Sequence, residues 1–140
     1  MHKIVKHYSK NIELPITEYN GSPFKFDSIT FRGGDTIITG SAGGKYAAEN
    51  TKIVVAEWGD VSVYGPHGIE KTEFYDLDLI KDFVDFFKDN IDVDYYENQP
   101  TNTGMVMLTP EDCNKLVKWA NSHSTTNETL FESVFKKAAL

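Results

Sequence analysis

The chain has 140 residues, of which 40% are hydrophobic and one is a cysteine, and its formal charge at neutral pH is −7. This length suits a single domain, residues 1–140, whose one core buries roughly two-thirds of the surface of the unfolded chain. No apolar run of about 18 residues is present to cross a bilayer, and the first residues lack the apolar segment of a signal peptide. A lone cysteine excludes an intramolecular disulfide and a cysteine-based zinc site. We therefore expect a cytoplasmic protein.

Thirteen of the fourteen basic residues are lysines, a bias typical of AT-rich coding in a low-GC bacterium or its phage. If a phage encodes the chain, its compartment is the host cytoplasm. A small basic cluster opens the sequence at His2, Lys3, Lys6, His7 and Lys10. Three lysines without interleaved aromatic residues or arginine make a weak phosphate-binding surface. We interpret this cluster as a solvated strand or arm, and we expect no direct binding to nucleic acid or to a membrane.

The first half of the chain has the pattern of a β-meander. Apolar and polar residues alternate over residues 12–16, and the Asn-Gly-Ser-Pro segment at 20–23 predicts a turn. The alternation resumes at Phe24, and its change of phase between Phe26 and Ile29 indicates a bulge or a break.

Two hairpins are predicted in this half. The segment Arg32-Gly33-Gly34-Asp35 joins two apolar strands, and Gly59-Asp60 is predicted to be a two-residue turn in which the glycine supplies a positive φ.

The second half of the chain changes to helical periodicity. A helix is predicted over residues 77–89 with Asp76 as its N-cap, and its apolar face consists of Leu79, Ile80, Phe83, Val84 and Phe87. The alternation over residues 91–95 predicts a strand, as does the apolar run 105–108.

Two further helices are predicted near the end of the chain. The segment Thr109-Pro110-Glu111-Asp112 is typical of a helix start, because it supplies an N-cap, a proline at the first position and an acidic first turn. A last helix is predicted after Thr125, with Glu128 completing a capping box. The fold class expected from these elements is α+β, an antiparallel sheet of about five to seven strands packed with about three helices, mainly in the C-terminal half.

The negative charge is confined to one segment, which we call the acidic block. Residues 70–97 contain ten Asp and Glu against three Lys, whereas the other 112 residues contain eleven acidic and eleven basic residues. A block of one sign on an otherwise neutral domain creates a directional field that steers an oppositely charged partner.

The predicted helix concentrates this charge on one side, which we call the acidic face: Asp78, Asp82, Asp85 and Asp89. At 100° per residue these four side chains lie within about 40° of one line along the helix, opposite Phe83 and Phe87. A solvated outer face would be the ordinary interpretation. However, like charges four residues apart each cost a few tenths of a kcal/mol, about what a mixed-sign pair would contribute. This favours a binding face.

The sequence therefore predicts a small non-enzymatic binding protein that blocks a basic site of a partner protein, such as a nucleic-acid-binding enzyme, by mimicking nucleic acid. An inhibitor of the phage anti-defence or immunity type would act in this way. The predicted partner-binding residues are Asp78, Asp82, Asp85, Asp89, Asp92, Asp94, Tyr95, Tyr96 and Glu97. The alternative is an enzyme or a small-ligand protein whose site combines distant residues, with Glu57 or Asp60 beside His67.

Other motifs point away from chemistry. The segment 90–94 begins like a calcium loop, but Tyr95 replaces the required glycine and Thr101 the bidentate glutamate. The glycine-rich segment 40–45 is one residue short for a phosphate loop, and Tyr46 stands where Ser or Thr would hold magnesium. Cys113 falls on the apolar face of its helix, where a buried thiol is inert. No catalytic residue, metal ligand or cofactor is predicted.

Overall fold

The computed structural model describes residues 3–7, 12–17, 23–42, 48–65, 68–69 and 72–123. Eight strands lie within these ranges: β1 (Ile4–Lys6), β2 (Ile12–Leu14), β3 (Phe24–Arg32), β4 (Asp35–Ala42), β5 (Ala48–Val55), β6 (Val61–Gly65), β7 (Gly68–Ile69) and β8 (Met105–Met107). The helices described are α1 (Leu77–Asn90), α2 (Val93–Glu97) and α3 (Pro110–His123), and a 3-10 turn at Thr72–Phe74 precedes α1.

The strands form one sheet in the order β7-β6-β5-β4-β3-β1-β8, and β2 pairs with β3 beside β1. Neighbouring strands are antiparallel from β7 to β1, whereas β8 runs parallel to β1. Strands β3 to β7 are consecutive in the chain and form the predicted meander. The α+β class is confirmed, with a mostly antiparallel sheet and helices mainly in the C-terminal half.

The predicted bulge in β3 is confirmed. The pairing of β3 with β4 shifts register between Phe26 and Ser28, so Phe26 and Ile29 both face the core although three positions separate them. The β3–β4 turn is also as predicted, because Gly33 and Gly34 both have positive φ, 59° and 91°. Such a turn matches the right-handed twist of its strands.

The predicted Gly59-Asp60 turn is wrong in length. Ala56 N donates to Asp60 O at 2.8 Å, so Asp60 belongs to the strand side and the loop contains Glu57, Trp58 and Gly59. Gly59 N donates to Ala56 O at 2.9 Å, and Gly59 has a φ of 98°. This is the three-residue hairpin in which a tight turn is followed by a left-handed glycine.

The core lies between one face of the sheet and the helices α1 and α3. Phe83 of α1 packs edge-on against Phe26 of β3, with ring centroids 5.7 Å apart, and against Trp119 of α3 at 5.3 Å. Phe87, one turn later, lies 5.7 Å from Phe31. Cys113 is buried in the same core, as predicted.

The two predicted helix starts that lie within the described residues are confirmed. Asp76 accepts a hydrogen bond from Leu79 N at 3.0 Å, and Thr109 Oγ1 accepts one from Asp112 N at 3.2 Å, with Pro110 at the first helical position. Each cap satisfies a backbone donor that has no partner within its helix, which fixes where the helix begins.

The strand predicted over residues 91–95 is wrong, because this segment contains α2. Asp92 caps α2 by accepting from Tyr95 N at 3.1 Å, and this local hydrogen bond favours a helical turn over an extended strand. The predicted strand at 105–108 is confirmed as β8. The turn at 20–22 and the helix predicted after Thr125 lie outside the described residues. No helix among the described ranges is long and apolar enough to cross a membrane.

Candidate functional site

The acidic face lies on the outer side of α1. All four of its carboxylates are exposed, while the opposite side of the helix buries Ile80, Phe83, Val84 and Phe87. The core contacts of Phe83 and Phe87 hold the helix in this rotation. The packing of α1 on the core therefore fixes the orientation of the acidic face toward solvent.

The carboxylates of the acidic face have no partners in the described part of the chain. None of the four forms an ion pair or a side-chain hydrogen bond there. Lys81 and Lys88 are also exposed on α1, and Lys88 Nζ lies 5.8 Å from the ring centroid of Phe31. Four like charges thus remain uncompensated by an ion pair.

Two other aspartates of the acidic block have structural roles. The side chains of Asp76 and Asp92 cap α1 and α2, respectively. The end of α1 is capped as well, since Lys115 Nζ of α3 donates to Asn90 O at 3.2 Å. This bond supplies a donor and a positive charge where the helix dipole is negative.

The acidic face continues into α2. Asp92 and Asp94 are exposed, and Tyr95 keeps 48% of its surface accessible. The Tyr95 ring packs edge-on against Tyr96, with centroids 5.1 Å apart, so it is held in place on one side and free on the other. Glu97 is half-buried, and its backbone oxygen accepts from Lys3 Nζ.

Tyr96, one of the predicted partner-binding residues, is buried and not exposed. Its side chain is 0% exposed and its hydroxyl bonds to Asp112 and Thr109 of the α3 start. In a strand, Tyr95 would lie on the same side as the buried Ile91. In the helical turn of α2, Tyr96 lies on the buried side instead. Tyr96 therefore lies beneath the candidate surface and is not accessible from solvent.

Of the basic cluster, Lys6 lies in β1 and Lys3 and His7 lie on either side of that strand, and these three residues are not simply solvated. Lys3 Nζ donates to the backbone oxygens of Glu97 and Gln99, and Lys6 Nζ lies 3.6 Å from Asp27 Oδ2. His7 Nε2 bonds to Phe26 O, and its ring stacks on Phe26. Lys3 thereby ties β1 to the end of α2. His2 and Lys10 lie outside the described residues.

The alternative composite site includes His67, which lies outside the described ranges. Its other two residues are both exposed, Glu57 in the β5–β6 loop and Asp60 directly after that loop. Within those ranges, no group of three or more His, Cys, Asp or Glu side chains is arranged to hold a metal ion.

Sequence reasoning missed Trp58, which lies in the β5–β6 loop with 77% of its surface exposed. The length of that loop was the signal that could have found it, because a three-residue hairpin places Trp58 at the centre of the loop.

Comparison with known proteins adds nothing to this geometry: no family model, curated protein or solved structure matches the chain.

Proposed function

We propose that this protein is a non-enzymatic inhibitor that uses the acidic block to occupy a basic site on a partner protein. The observation that carries the proposal is the acidic face itself. Its four carboxylates are exposed, lack partners among the described residues, and lie on a helix whose other side is fixed in the core. Charge that serves only solubility needs neither a single sign nor a fixed geometry.

The spacing of the charges fits a site that binds nucleic acid. Successive carboxylates of the acidic face rise by about 4.5 to 6 Å along the helix axis, and the four span about 16 Å. This is comparable with the spacing of phosphates along one strand. A groove lined with Lys and Arg for phosphates would meet a similar row of charges on α1. The natural class of partner is therefore a nucleic-acid-binding enzyme, as for a phage anti-defence or immunity-type inhibitor.

Tyr95 supplies the apolar part of such an interface. Charge mainly accelerates approach and sets register, whereas aromatic side chains that become buried contribute most to the lifetime of a complex. Tyr95 lies just beyond the end of α1, half exposed and supported by Tyr96. The proposed interface thus combines a charged row with an adjacent aromatic anchor.

The test is capture of the partner from a lysate of the native host, followed by mass spectrometry. The bait variant is Asp82→Lys with Asp85→Lys, and the matched control is Glu13→Lys with Glu111→Lys. Glu13 and Glu111 are exposed and lie outside the acidic block, so both variants change the net charge by the same amount. We expect wild type and control to capture the same Lys- and Arg-rich protein and the acidic-face variant to lose it. Equal capture by all three would overturn the proposal.

A further inference from the structure

Trp58 is an exposed aromatic residue whose orientation is fixed. Its indole Nε1 donates to Asp60 Oδ2 at 2.6 Å, so the only polar atom of the ring is already paired within the loop. The apolar surface of the ring remains accessible, since Trp58 as a residue is 77% exposed. An aromatic side chain ordered in this way loses little conformational entropy when it binds.

The loop that carries Trp58 is braced by the neighbouring β3–β4 turn. Glu57 N donates to Asp35 Oδ1 at 3.2 Å. The side chain of Glu57 also lies against Gly34, because a Cβ added to Gly34 would stand 2.7 Å from Glu57 Oε2. The two turns therefore support each other, which keeps Trp58 at a defined place.

The surroundings of Trp58 are acidic. Glu57 precedes Trp58 in the loop and Asp60 directly follows the loop, and both are exposed. Asp35 lies on the adjacent turn, paired across the hairpin with Arg32. An apolar ring face next to carboxylates matches the guanidinium group of arginine, which stacks on aromatic rings and donates to carboxylates at the same time. Asp60 retains acceptor capacity for this, since a carboxylate accepts more than one hydrogen bond.

This loop lies at the end of the sheet that also carries the end of α1. Phe31 contacts Phe87 and lies 5.8 Å from Lys88 Nζ, which places the last turns of α1 over the end of β3. Phe31 pairs with Thr36, and Thr36 pairs with Val55, the last residue of β5. Two strand spacings, about 10 Å, separate Phe31 from Val55. A single partner can reach both α1 and the Trp58 loop.

We propose that Trp58, with Glu57 and Asp60, is a second contact point that receives an arginine side chain of the partner. The inference rests on the proposed function in taking the partner to be the same basic protein. It adds that this partner presents arginine, not lysine alone, next to the residues that meet α1.

The test is to titrate the full chain with a nona-arginine peptide and, separately, with a nona-lysine peptide. Binding is monitored through the indole ¹H–¹⁵N resonances. Trp58 and the buried Trp119 provide an exposed reporter and an internal reference. We expect the Trp58 resonance to shift with nona-arginine. Trp58→Ala should weaken nona-arginine binding roughly three- to tenfold and nona-lysine binding by less than about twofold. Asp60→Asn, which keeps an acceptor for the indole, should weaken it less.

Two outcomes would overturn the arginine site: an unmoved Trp58 resonance, or equal effects of Trp58→Ala on the two peptides. The variant Asp82→Lys with Asp85→Lys separates this inference from the proposed function. If that variant binds both peptides like wild type while Trp58→Ala selectively weakens nona-arginine, the arginine site stands and the role of α1 fails. If instead the α1 variant weakens the binding of both peptides while Trp58→Ala affects the two peptides equally, the arginine site fails and the role of α1 stands. An unchanged melting temperature of Trp58→Ala will show that the fold is retained.

Discussion

The hydroxyl of Tyr96 in α2 donates a hydrogen bond to the Asp112 carboxylate in the first turn of α3. The same hydroxyl oxygen accepts from Thr109 N at 3.1 Å, so it joins α2 to the start of α3 at two points. Burial, followed by the bond to Asp112, raises the pKa of Tyr96 to about 12. A residue near the end of the acidic block thereby anchors the surface on which Asp94 and Tyr95 lie.

Removing this hydroxyl should destabilise the protein. Tyr96→Phe removes the donor to Asp112 Oδ2 and the acceptor for Thr109 N, and the expected loss is about 1–3 kcal/mol of unfolding free energy. The matched control is Tyr95→Phe, next in the chain and half exposed, which should change stability by less than about 0.5 kcal/mol. Urea denaturation of the two variants measures the difference. Equal stabilities would mean that the Tyr96 hydroxyl contributes nothing.

The raised pKa of Tyr96 predicts a loss of stability at alkaline pH. The folded protein holds the Tyr96 proton more tightly than the unfolded chain, in which the tyrosine pKa is 10.0. The stability that this difference contributes is therefore fully present below pH 10. As the pH rises from 10 through about 12, this contribution to stability is lost. Other groups also titrate in this range, so the measurement compares wild type with Tyr96→Phe. The stability difference between them should shrink or reverse above pH 10, and a constant difference would contradict the assignment.

The two sides of α1 should respond oppositely to substitution. Phe83 contacts Phe26, Phe87 and Trp119, and Phe83→Ala should cost roughly 3–5 kcal/mol through the cavity it leaves. Asp82→Asn, on the adjacent exposed position, should stay within about 0.5 kcal/mol of wild type. Thermal unfolding of both variants provides the check, and a large loss for Asp82→Asn would show that the acidic face has a structural role.

Gly40 of β4, the first residue of the glycine-rich segment, allows the backbone of β3 to approach closely. A Cβ at this position would stand 2.0 Å from Lys25 O and 2.7 Å from the Phe24 ring, and the β3 backbone cannot move far without breaking its pairing. Gly40→Ala should therefore cost roughly 3 kcal/mol. Gly33→Ala is the control, because its Cβ meets open space and only the φ of 59° is unfavourable, at about 1–2 kcal/mol. A smaller loss for Gly40→Ala than for Gly33→Ala, measured in urea, would contradict this steric role.

The sequence predicts well where local chemistry decides the structure. Asp76 and Thr109 mark helix starts because their side chains bond to nearby backbone donors, and the phase change before Ile29 reports the bulge directly. The rotation of α1, and with it the acidic face, follows from apolar periodicity over fourteen residues.

Prediction fails where the segment is short or the contact is distant. The alternation over 91–95 involves three apolar residues, too few to separate a strand from one helical turn, and that choice decides which tyrosine is buried. The parallel pairing of β1 with β8 joins residues about one hundred positions apart, as with Ile4 and Met105, and leaves no local signal. The exposure of Trp58 depended on a loop length misjudged by one residue.

The last prediction concerns the kinetics of binding to the partner captured from the host. If the acidic face guides association, the on-rate should fall as ionic strength rises from about 50 to 300 mM, because the Debye length shortens from about 14 to 6 Å. Changing Asp78, Asp82, Asp85 and Asp89 to Asn should slow association and flatten its salt dependence, and changing them to Lys should abolish binding while circular dichroism shows an intact fold.

Tyr95→Ala should instead raise the off-rate at every salt concentration, because an aromatic anchor acts after encounter. Tyr96→Ala is unsuitable for this comparison, since Tyr96 is buried and its loss destabilises the fold beneath the interface. Stopped-flow or surface-based kinetics separate the two rates. Wild-type affinity and salt dependence in the quadruple Lys variant would show that the acidic face is only solvated surface, because a guiding charge cannot be reversed without changing the rate of approach.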